Sequence, residues 1–215
     1  MNAIYLNSED HGLNFDSFRR KMVEICNTHR EENKALAFAF ILYDFENPQI
    51  SKILRDSDYW LALNKISGDY LTVFSIHYKP EDEGIEKTAA LESYSFKDNP
   101  ATATNKLIAD YFGNDIKVIY PAILFFQVNQ EMVIDSLLVE LKEEKIEEAY
   151  IELKDNIKIC VEELKKVHRE NSHNFSEIFD LMERRLNSYE NSKKIKRVKK
   201  VVGPVAGLAF NLISL

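Results

Sequence analysis

Two uninterrupted apolar runs, Ala35 to Tyr43 and Leu71 to Tyr78, enclose one amphipathic stretch, and this arrangement restricts the fold more than any other feature of the chain. A strand with one face in water alternates apolar and polar residues, whereas a continuous apolar run reads as a strand covered on both faces, as in a parallel sheet. Between the runs, Asp44-Phe45-Glu46-Asn47-Pro48 offers a proline suited to the first turn of a helix. Ile50, Ile53, Leu54, Trp60, Leu61 and Leu63 then carry an amphipathic segment to Ser67-Gly68, which has the chemistry of a helix stop. Strand, helix and strand in that order form a βαβ unit with a right-handed crossover.

The flanking segments extend the pattern. Phe15, Phe18, Met22, Ile25 and Cys26 have near-helical spacing, which predicts a helix over 15–26. After Lys79 the acidic, punctuated stretch Pro80-Glu-Asp-Glu-Gly84 opens an insertion that runs to about residue 104, followed by a short helix over 102–112. Pro121-Ala-Ile-Leu-Phe-Phe-Gln127 and Met132-Val-Ile-Asp-Ser-Leu-Leu-Val139, separated by Asn129-Gln130, predict a hairpin. From Ile146 to Val167 apolar residues recur in steps of three or four, and the period resumes from Phe175 to Tyr189, which predicts two antiparallel helices.

The order βαβ, helix, hairpin, helix resembles the thioredoxin-like fold. Phe40-Ile-Leu-Tyr-Asp-Phe45 looks like its first central strand, and Ile119-Tyr-Pro-Ala-Ile-Leu-Phe-Phe126 resembles the segment where the family places a cis-proline facing the active site. The resemblance covers roughly residues 35–165 and implies a mixed sheet with flanking helices. It also implies a Cys-x-x-Cys pair at the head of the first crossover helix, where the helix N-terminus lowers the attacking thiol's pKa. By the family spacing that pair would fall near Ile50 and Ile53, and no cysteine lies between Cys26 and Cys160. Thiol–disulfide exchange therefore has no reactive group, and the expected fold is a redox-inactive α/β domain extended by a helical hairpin and a tail. The expected divisions are an N-terminal helix in 1–34, the core in 35–140 with its insertion near 79–104, the helical hairpin in 141–192 and the tail in 193–215.

Charge singles out that tail. The 215 residues carry a formal charge of −7, yet Lys193, Lys194, Lys196, Arg197, Lys199 and Lys200 fall within eight positions and no acid follows them. The first 192 residues hold 22 basic and 35 acidic side chains, a charge of −13, so an acidic body precedes a cationic segment and fifteen mostly apolar residues that include Leu208 and Phe210. As a helix those fifteen would span about 22 Å against roughly 30 Å of bilayer hydrocarbon, too short to cross. The pairing of cations with apolar residues suits docking on the acidic body or a protein partner first, an anionic membrane surface second, and nucleic acid least. No signal peptide is apparent at the N-terminus, and two scattered cysteines suit a reducing compartment. The expected location is cytoplasmic, with the inner face of the membrane as the alternative.

Chemistry-bearing residues are sparse. Ligands of open α/β sheets sit beyond the carboxyl ends of the strands, where this chain offers Asp44, Glu46, Asn47, His77, Tyr120 and Pro121. Asp44 and His77 have the side chains of an acid–base pair, but the simpler reading is a helix cap and a surface residue. His168 and His173 are five apart and share no helical face for a metal. No glycine-rich phosphate loop or nucleophile elbow occurs, so no cofactor, metal or catalytic residue is expected. The expected function is a non-enzymatic protein-interaction module, with a membrane-associated adaptor as the alternative.

Overall fold

A computed structural model describes residues 1–7, 24–29, 31–32, 35–43, 48–79, 119–129, 132–142, 144–169, 175–189 and 195–198. Its elements are β1 (Asn2–Asn7), β2 (Ala37–Leu42), α1 (Pro48–Arg55), α2 (Ser57–Ser67), β3 (Leu71–Lys79), β4 (Ala122–Asn129), β5 (Met132–Glu140), α3 (Ile146–Arg169), α4 (Phe175–Tyr189) and β6 (Ile195–Val198). The six strands form one mixed sheet in the order β1-β3-β2-β4-β5-β6. β3 runs parallel to both β1 and β2, while β4, β5 and β6 each pair antiparallel to the preceding strand in that order.

Both central runs are strands, and their lack of alternation has the expected cause. Ala37, Ala39, Ile41, Val73, Phe125 and Leu137 face α1, α3 and α4 in one continuous hydrophobic core. On the opposite face Phe38, Phe40, Phe74 and Phe126 form a layer of rings, with centroids 5.2 Å apart for Phe40–Phe74 and for Phe40–Phe126. All four rings are buried. The helical piece at 24–29 belongs to this second face, because His29 Nδ1 and Thr72 Oγ1 share a hydrogen bond of 2.6 Å. Each such side chain removed from water contributes about 1.5–3 kcal/mol, so covering both faces is what makes continuous apolar strands stable.

Several expectations are corrected. The segment 1–34, expected to hold a helix over 15–26, also carries β1, which pairs with β3 from Asn2↔Phe74 to Asn7↔Lys79; residues 24–29 are helical, and 15–23 lie outside the described residues. The apolar run Ala3 to Leu6 of β1 is too short to tell a strand from a buried helical turn by pattern alone, and pairing with the distant β3 decides it. The crossover read as one helix is two. Asp56 interrupts it in an extended conformation (φ −81°, ψ 124°) and its side chain accepts hydrogen bonds from the backbone N–H groups of Asp58 and Tyr59, capping α2. α2 ends as expected at Gly68, whose φ of 54° suits a residue without Cβ.

α3 and α4 do pack antiparallel, with the Tyr189 hydroxyl donating to Asp155 at 2.7 Å and Arg185 facing Glu163 at 4.0 Å. The hairpin shares its core with the sheet, so the boundary at 140/141 does not divide the apolar interior. Glu152 fixes the junction by accepting the Lys142 backbone N–H at 2.8 Å. The expected helix over 102–112 and the insertion from 80 to 104 lie outside the described residues. The tail, read as a basic run leading to an apolar segment, contributes a strand. Residues 195–198 continue the sheet beside β5, with Leu137 opposite Arg197 and Val139 opposite Ile195.

Candidate functional site

The carboxyl ends of the parallel strands form one end of the sheet. Ile41 pairs with Ser75 and Leu42 with Ala122, so the backbones of Tyr43, His77 and Tyr120–Pro121 converge there. The Tyr120–Pro121 peptide bond is cis, Pro121 is buried, and its carbonyl accepts the Leu141 N–H at 2.9 Å. Tyr120 is half-buried and Ile119 beside it is exposed. His77 lies on β3 opposite Tyr5. Asp44, Glu46 and Asn47 fall outside the described residues, so the expected grouping is seen only in part.

Tyr43, which the sequence reading did not single out as a site residue, closes the carboxyl end of β2. Burial pushes its phenol up to about 12, with the Arg55 charge pulling in the opposite direction. It is therefore a neutral hydrogen-bonding group at ordinary pH and not a base. On α1, Ile50 and Ile53 are fully buried where the resemblance implies thiols. Cys26 and Cys160 are both buried, and neither is in a disulfide among the described residues. Burial pushes the Cys160 thiol well up, and the Glu163 charge raises it further. A thiol held protonated in an apolar surrounding is a poor nucleophile.

A second constellation lies across the sheet. Arg197, one of the expected tail cations, points into the helix-covered face of the sheet. Its Nε and Nη2 donate to Asp135 Oδ1 and Oδ2 at 3.2 and 2.7 Å, and its Nη1 donates to Glu183 Oε2 at 3.0 Å and to Asp180. The side chains of Arg197 and Asp135 are 6% and 8% exposed, against 42% for Asp180 and 32% for Glu183. Burial lowers the guanidinium pKa, but the three carboxylates outweigh it and hold the group above its ordinary value.

Asp135 carried a usable signal, since it is a charge inside an apolar strand. Asp180 and Glu183 carried none, being ordinary polar positions on a helix. Lys196 is a β6 residue opposite Leu138, while Lys193, Lys194, Lys199, Lys200, Leu208 and Phe210 lie outside the described residues. Among the described residues no group of three or more His, Cys, Asp or Glu could hold a metal ion, and no helix is long and apolar enough to cross a membrane. Comparison with family models, curated proteins and solved structures yields no match.

Proposed function

We propose that this chain is a redox-inactive, thioredoxin-like module that works by holding a protein partner at the carboxyl end of its parallel strands. The observation that carries the reading is the strand order β1-β3-β2-β4-β5, with β3 parallel to β1 and β2 and with β4 and β5 antiparallel, together with aliphatic Ile50 and Ile53 on the first crossover helix. Buried, protonated Cys160 and buried Cys26 support it from the other side, because neither is placed to attack a disulfide. The exposed Ile119 and half-buried Tyr120 beside the buried Pro121 give the sheet end an apolar, adaptable rim suited to a polypeptide. Two cysteines that form no disulfide among the described residues suit a cytoplasmic setting.

Insulin reduction by dithiothreitol tests the inactive half of the reading. The expected result is the same onset of turbidity with and without the protein. Clear acceleration would mean that a thiol couple operates and would remove the proposal.

A further inference from the structure

We propose that β1 is an open edge of the sheet at which a second copy of this chain docks, the two β1 strands pairing antiparallel about a two-fold axis midway along the strand. β1 ends the order β1-β3-β2-β4-β5-β6, bonded to β3 on one side and to no strand on the other among the described residues. Its six residues keep register with β3 from Asn2↔Phe74 to Asn7↔Lys79 with no bulge, unlike β4 and β5, whose register shifts at Gln127/Val128. An end strand so held presents an unbroken row of main-chain donors and acceptors, which is a template for one more strand.

Two contrasts on the page point to a second copy as the occupant. Proteins keep sheet edges apart with short strands, charges, prolines or bulges. β6, the other end strand, is blunted in this way, being four residues long and carrying Lys196 and Arg197. β1 has none of these devices: Asn-Ala-Ile-Tyr-Leu-Asn holds no charge and no proline, in a chain with 28 basic and 35 acidic side chains. The order of its residues supplies the second contrast. A two-fold axis sets a strand against its own reverse, and one antiparallel register pairs all six positions. In that register Asn2 stands opposite Asn7, Ala3 opposite Leu6 and Ile4 opposite Tyr5, so amide meets amide at both ends and apolar meets apolar between them. An asparagine amide both donates and accepts, which makes it a fit partner for another. The strand is thus complementary to itself, and the docking holds whether or not the fold is thioredoxin-like.

A six-residue ladder is smaller than a standard interface, so half-dissociation is expected at about 10 μM. Sedimentation equilibrium of the full chain across that concentration is expected to carry the mean mass from 25.0 kDa towards twice that value. Asn2→Lys with Asn7→Lys sets like charges opposite each other at both ends and is expected to weaken association about tenfold. Asn2→Lys with Asn7→Glu sets opposite charges at the same places and is expected to restore it. Asn2→Cys with Asn7→Cys gives a covalent readout. Five residues apart on one strand, those two positions are about 17 Å from each other, too far to join within a chain, so mild oxidation is expected to yield a disulfide-linked dimer. A chain that remains monomeric, as it does if a segment of its own covers the edge, would overturn the proposal. A dimer that the two lysines leave unchanged, or that the Lys and Glu pair fails to restore, would overturn it as well. Should the lysine variant fail to fold, the cysteine variant decides, and the absence of a cross-linked dimer would overturn the proposal.

Discussion

Tyr43 links the candidate cleft to a measurable dependence of stability on pH. The residue is 4% exposed at the end of β2, and its phenol is pushed up to about 12 by burial, with the Arg55 charge pulling back. In the unfolded chain the same phenol titrates near its ordinary value of about 10. Below that pH both states keep the proton and stability is intact. As pH rises further, the unfolded state loses the proton while the folded state retains it, so unfolding becomes progressively easier until the folded phenol also titrates. A separation of about two pKa units corresponds to about 2.7 kcal/mol at the upper limit, and to about 1.4 kcal/mol at pH 11. Urea unfolding of the unaltered chain and Tyr43→Phe, from pH 8 to 11.5, isolates this contribution, because the lysines and remaining tyrosines cancel in the difference. The unaltered chain is expected to lose stability relative to Tyr43→Phe by about 1.4 kcal/mol between pH 8 and 11. A constant difference across that range would refute the buried-phenol argument.

Other outcomes follow from the same geometry. Phe125 is fully buried between the sheet and the helices, so Phe125→Ala is expected to cost about 3–5 kcal/mol in urea unfolding. Asp56→Ala removes both hydrogen bonds that cap α2 and is expected to cost about 1 kcal/mol, whereas Asp56→Asn retains most of it. Ellman's reagent is expected to label neither Cys26 nor Cys160 in the native chain and both after denaturation, because each thiol is buried.

Much of the sheet was legible because its central strands are continuous apolar runs, and only a strand covered on both faces tolerates Phe38-Ala-Phe-Ile-Leu42. The hairpin and the two long helices declared themselves through turn residues and period. What was hidden has a common cause. β1 and β6 lie at the sheet edges and are defined by pairing with distant segments, so Ala3 to Leu6 and Ile195 to Val198 offered local pattern without a partner. The partner that Arg197 finds, Asp135, lies 62 residues away in sequence and becomes a neighbour only in the fold. The break at Asp56 was available in the sequence as a capping aspartate and was masked by the apolar period running through it.

Photo-crosslinking tests most directly whether the molecule acts by holding a partner at the carboxyl end of its parallel strands. Benzoylphenylalanine replaces Tyr120 in one full-length protein and Leu61 in another, Leu61 being an apolar α2 residue that is 63% exposed. Each protein is irradiated in an extract of the organism that makes the chain. A discrete adduct of one mass from position 120, absent from position 61, is the predicted result. No adduct at position 120, or the same set of adducts from both positions, would contradict the account.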